Sequence, residues 1–220
     1  LVKVGTGELV LADVANTASG QTFIRQGWVT VRNDRSLGAG VNFPDTISPE
    51  TYVGEGAGLV LKRTRAGANP ITVPERVFAS GDGFTHRDGS IANSFPELNH
   101  NGAILNLSGN NLITGIVTLV ATNTTSKIGI GADIDSTDQS GSASELTLTN
   151  QMREGNVNPA NAVAQPPTLI PAGINKLGLT RVILQGQGVF TGNNQVSEGQ
   201  LRVQTDTALG MIGGTTTVLN

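Results

Sequence analysis

The sequence predicts an all-β chain wound as a parallel β-solenoid with loop excursions, and three observations predict it. Apolar residues recur with a period of two, turn-forming residues bound nearly every such run, and one motif returns at an offset of 172 residues. No stretch of eleven residues keeps helical spacing without a Gly, Pro or β-branched interruption. Arg153 to Ala164 comes nearest, and Gly155 and Pro159 break it.

In chain order the strand-like runs are Glu8–Leu11, Trp28–Val31, Leu59–Leu61, Ile104–Leu107, Ile116–Leu119, Glu145–Leu148, Arg181–Leu184 and Gln200–Val203. Gly, Asn, Asp, Ser or Thr flank them. Thr suits a pleated surface, and Asn tolerates the left-handed backbone that tight turns require. Trp28 falls on the outer face of its strand, because Val29 and Val31 form the alternating inward pair; there it covers a flanking loop.

The repeat pairs Gly27–Gly38 with Gly199–Gly210. Gly27/Gly199, Val31/Val203, Asp34/Asp206, Leu37/Leu209 and Gly38/Gly210 are identical, and Val29/Leu201 is conservative. The expectation is that the two segments occupy equivalent coils, with Gly27, Gly38, Gly199 and Gly210 at corners and Val29, Val31, Leu201 and Val203 in the core. Upstream, Leu9–Leu11 matches Val182–Leu184 if one residue is skipped. The chain then reads as one continuous solenoid: a unit of residues 1–172 and the start of a second, 173–220, which corresponds to residues 1–48. Coils of roughly 20–25 residues predict about nine or ten of them. Val41–Glu50, Thr64–Arg76 and Glu154–Gly173 carry most of the nine prolines and are expected to leave the coil as loops.

Composition excludes several classes. Charged residues make up 14%, well below the usual quarter, so charge repulsion does not keep the chain unfolded. Fourteen scattered Lys and Arg in a chain of net charge −3 do not build a nucleic-acid face. Cysteine is absent, which removes disulfides, thiolate metal sites and a Cys nucleophile. No apolar run reaches the roughly 20 residues that cross a bilayer as a helix.

The segment Gly7-Glu-Leu-Val-Leu-Ala-Asp-Val-Ala-Asn-Thr-Ala-Ser-Gly-Gln-Thr-Phe-Ile-Arg-Gln-Gly-Trp-Val-Thr-Val resembles the autotransporter-associated β-strand repeat. The closures Ser36-Leu37-Gly38 and Ala208-Leu209-Gly210 fit that pattern, and Gly102–Leu119 is similar to repeats of very large bacterial surface proteins. Ala12–Ala15 and Gln195–Glu198 depart from it. The resemblance implies a right-handed parallel β-helix exported to the bacterial cell surface or beyond, serving as stalk, fibre or adhesin scaffold. It carries no catalytic residue.

Candidate chemistry is sparse. Asp133, Asp135 and Asp138 form the densest carboxylate cluster and suggest calcium, but Asp138 and Ser144 stand where an EF-hand loop needs Gly and Glu. A solvated loop is the preferred reading. Asp82, His86, Arg87 and Asp88 lie close in sequence without a nucleophile motif, and read as a polar turn. A glycosidase needs two facing carboxylates, and sequence alone does not bring any two of Glu50, Glu55, Asp82, Asp88 and Asp133 together. The expectation is a non-enzymatic structural segment of a giant extracellular protein, without a cofactor. Its partners are neighbouring repeats or head-to-tail copies of itself, since neither end reads as a polar cap. The alternative is an adhesin whose loops hold a glycan or host protein.

Overall fold

The structure, a computed structural model, describes residues 1–12, 16–38, 49–63, 69–84, 100–134, 144–156, 160 and 169–219. Among them all regular structure is β-strand, numbered in chain order. Sheet I contains β1 (Val2–Lys3), β3 (Thr22–Ile24), β5 (Glu50–Val53), β8 (Arg76–Ala79), β13 (Val117–Leu119), β16 (Met152–Glu154) and β19 (Gly188–Val189). Sheet II contains β2 (Glu8–Leu11), β4 (Gly27–Val31), β6 (Ala57–Lys62), β11 (Ile104–Ser108), β14 (Lys127–Ala132), β17 (Gly173–Leu177), β20 (Asn194–Val196) and β22 (Thr216–Val218). Sheet III contains β7 (Thr72–Val73), β12 (Asn110–Ile113), β15 (Glu145–Leu148), β18 (Arg181–Leu184) and β21 (Gln200–Val203). A short antiparallel pair, β9 (Gly83–Phe84) with β10 (His100–Asn101), stands apart from the three parallel sheets.

From β5 to β21 the chain visits sheets I, II and III in that order and begins again, interrupted once by β9 and β10; from β8 onward every strand but these two pairs in parallel with its counterpart one circuit earlier. Alternate side chains point to opposite faces. The inward ones from all three sheets meet in one cluster that includes Val53 and Leu119 from sheet I, Leu59 and Ile130 from sheet II, and Ile113 and Leu146 from sheet III. The outward residues Trp28, Val60, Phe84 and Leu105 form a second, smaller cluster. Trp28 is therefore on the outer face and only 5% exposed. Phe84 of the antiparallel pair covers it, with ring centroids 4.9 Å apart.

Circuit length varies more than the uniform 20–25 residues expected. Register partners toward the two ends of the stack are about 20 residues apart, as in Val10↔Thr30, Asn175↔Gln195 and Ile183↔Arg202. In the middle, Phe78↔Thr118 and Thr118↔Arg153 span much longer insertions. Among the described residues sheet II, with the most strands, has eight, against the nine or ten coils expected. The expected excursions also shrink. Glu50 opens β5, Thr72–Val73 and Arg76 lie in β7 and β8, and Glu154 and Gly173 belong to β16 and β17. Pro74 and Pro171 sit between strands, where a missing donor is tolerated.

The internal repeat is a corner and not a face. Gly27 opens β4 of sheet II after the turn from β3 of sheet I, whereas Gly199 immediately precedes β21 of sheet III after β20 of sheet II. The two copies thus lie one sheet apart, contrary to the expectation of equivalent positions. Locally they share their geometry. Gly27 and Gly199 take φ of 66° and 63°, and a Cβ at either would lie within 2.5 Å of a backbone oxygen. Lys3 Nζ donates to the carbonyls of Val4, Gly5 and Gln26; Lys176 Nζ donates to those of Leu177, Gly178 and Glu198. The Gly5 N–H donates to Gln26 Oε1, and the Gly178 N–H to Glu198 Oε2. Chain reversal between any two sheets poses the same problem, so the same residues solve it at different sheets.

Val29 and Val31 are in the core as expected, and Leu201 packs against it while remaining partly exposed. Val203 differs: it is 40% exposed, because β21 is the outermost strand of sheet III and no described strand lies beyond it. Gly38 and Gly210 take φ of 136° and 98°, values that favour glycine.

Candidate ligand-binding cleft

The corner between sheets I and II carries a cleft of about 390 Å³ on the outside of the stack. Five successive circuits contribute to it. Glu55 and Gly56 come from the turn between β5 and β6, Gly81 and Asp82 from the segment joining β8 to β9, and Gly83 opens β9. Thr125, Ser126 and Lys127 lead into β14, Asn175 belongs to β17 and Gln195 to β20. Asn175 and Gln195 are register partners, so parallel pairing alone places their amides one above the other. The Gly129 N–H donates to the Gly81 carbonyl at 2.9 Å and ties the Asp82 segment to the sheet. Gly129 has no alternative here, because a Cβ would meet the Asp82 backbone at 2.9 Å.

The polar groups of the cleft are linked. The Asn175 amide hydrogen-bonds the Asp82 carboxyl. Ser197 Oγ donates to Asn175 Oδ1 at 2.7 Å, and Gln195 Nε2 donates to Ser197 Oγ at 2.7 Å. Although Asp82 is exposed overall, the surrounding protein partly desolvates its carboxyl and pushes the pKa up; the Asn175 hydrogen bond and the Lys127 charge partly oppose this. Hydroxyl, amide, ammonium and carboxylate groups thus converge on one concave surface without an exposed aromatic ring.

Of the carboxylates singled out from sequence, Glu55 and Asp82 are brought to this cleft. Glu50 is not: it lies on the outer face of sheet I, paired with Arg76 at 3.0 Å and hydrogen-bonded by the Tyr52 hydroxyl and Gln21. Beside it Phe23, Tyr52 and Phe78 stack as a ladder, with centroids 5.1 and 4.6 Å apart. Stacking consumes the ring faces between neighbours, which makes the ladder a structural column. Asp133 follows β14, and its charge favours the protonated Lys176. Asp135, Asp138, His86, Arg87 and Asp88 lie outside the described residues. Among the described residues no three His, Cys, Asp or Glu side chains are grouped to hold a metal ion, and no helix is long and apolar enough to cross a membrane.

No family model, curated protein or solved structure matches this chain. Its function is therefore read from its own residues. Sequence reasoning missed Lys127, Asn175 and Gln195, which approach Asp82 only through the stacking of circuits of unequal length. It also missed Lys3 and Lys176, although Lys3-Val-Gly5 and Lys176-Leu-Gly178 stand at nearly the repeat offset.

Proposed function

We propose that the chain is a structural segment of a large extracellular or cell-surface bacterial protein, closed into a right-handed β-solenoid that serves as a stalk or fibre scaffold. One observation carries the reading: parallel pairing continues through eight strands of sheet II while the chain circulates through sheets I and III. Such a stack lengthens by adding circuits at constant width, which is what a rod requires, and it needs no cofactor. The resemblance to autotransporter-associated repeats supports the right hand and the surface location.

The same reading names its partners. Val2, Val4 and Val10 at one end, and Val203, Ile212 and Val218 at the other, leave apolar surface exposed. Among the described residues, the outermost strands β1, β2, β21 and β22 each pair on one side only. Further repeats or a head-to-tail copy cover such edges by extending the ladders. An antibody against the folded segment should label intact cells that express the protein, and external protease should remove the signal. Labelling only after permeabilisation contradicts the surface reading. A second reading, an adhesin that holds a glycan or host protein, is favoured by the polar cleft at the corner of sheets I and II.

A further inference from the structure

The cleft has a lining specific enough to name a ligand class. Its donors are the Asn175 and Gln195 amides and Lys127; its acceptors include the Asp82 carboxylate and the Thr125 hydroxyl, whose own hydrogen goes to Asn123. Mixed donors and acceptors at close spacing suit a polyhydroxylated ligand, each hydroxyl of which both donates and accepts. Asp82, held by the Asn175 amide and facing the charge of Lys127, leaves that pair without net positive charge, which disfavours phosphate, sulfate or uronate groups. The lining offers no apolar pocket to anchor a peptide side chain.

Dimensions agree with this chemistry. The volume of about 390 Å³ falls within the range of small-ligand clefts, roughly 300–1,000 Å³. Contributions come from successive circuits spaced about 4.8 Å apart, a step close to that of sugars along an extended chain. Gly56, Gly81 and Gly83 keep the rim low, so a ligand approaches the backbone itself.

We propose that this cleft binds a short neutral oligosaccharide lying along the stack, held by Asp82, Asn175, Gln195 and Lys127. The inference rests on the adhesin reading of the cleft and is independent of the rod. Its failure leaves the sheet ladders and the surface location untouched.

The test is calorimetric titration of the full chain with short neutral gluco-, manno- and xylo-oligosaccharides, and with an oligogalacturonate as the acidic counterpart. At least one neutral series should saturate, and more tightly than the acidic one. Asp82→Ala and Gln195→Ala should each weaken binding about tenfold, the equivalent of losing one net hydrogen bond. Arg202→Gln, on sheet III, should leave it unchanged. Both cleft residues are partly or fully exposed, so unchanged circular dichroism is expected and separates lost binding from lost folding. The proposal is overturned by no saturation with any neutral series, by binding of the acidic chain alone, or by saturable binding that survives both cleft substitutions.

Discussion

Tyr52 is the only tyrosine of the chain, which makes its ionisation directly readable. Burial raises its pKa above the ordinary 10, and the hydrogen bond and negative charge of Glu50 raise it further. Ultraviolet titration should therefore show no tyrosinate until well above pH 10, and Glu50→Gln should bring the transition down without restoring the ordinary value. A phenol titrating near 10 in the folded chain contradicts the stacked, buried ladder. Two other buried groups set opposite pH slopes. Glu75, hydrogen-bonded by Thr51, is pushed by burial to about 7 from 4.5, so the folded state holds the proton more tightly. Its contribution to stability is complete below pH 4.5 and is lost as pH rises through 7. Lys176, fully buried, is lowered by burial to about 8 from 10.5, so the unfolded chain binds the extra proton and stability recovers as pH rises from 8 to 10.5. Urea denaturation should show Glu75→Gln abolishing the first slope and Lys176→Met the second. Lys176→Met should also cost about 1–3 kcal/mol, because three carbonyls lose their donor.

At the scale of elements, the corners decide where one sheet ends and the next begins. Gly199 and Gly56 both hold positive φ, at 63° and 73°, yet their surroundings differ. A Cβ at Gly199 meets the Gly178 oxygen at 2.4 Å, whereas at Gly56 it meets nothing within 4 Å. Gly56→Ala should cost only the left-handed penalty of about 1 kcal/mol. Gly199→Ala should cost clearly more, since the backbone itself must move, and thermal melts of the two variants measure the difference. Equal losses contradict the tight packing of that corner. These corners were legible in the sequence because Gly has a local signature, and so were the strands, whose period of two is local as well. The sheet to which each strand belongs was not legible. The copies at Gly27 and Gly199 look alike through their turn chemistry, while insertions between circuits shift them by one sheet. The aromatic ladder and the cleft were hidden for the same reason: Phe23, Tyr52 and Phe78, or Asp82, Asn175 and Gln195, meet only once unequal circuits are stacked.

Across the whole molecule, the strands of sheet II pile up in the order β2, β4, β6, β11, β14, β17, β20, β22. The stacking explains why an exposed Glu8 and an exposed Thr217, 209 residues apart in sequence, belong to one sheet at opposite ends of it. It also explains why the apolar exposure concentrates at the outermost strands, and why a cleft assembled from residues 55 to 195 is a single surface. The absence of native cysteine allows clean spin labelling at introduced ones. The decisive measurement is pulsed electron–electron resonance between labels at Glu8 and Gln195, and between Glu8 and Thr217. Six and seven strand spacings predict distances of about 29 and about 34 Å, with the second pair longer by one spacing. Two equal distances, or a separation for either pair far from these values, would contradict the stack.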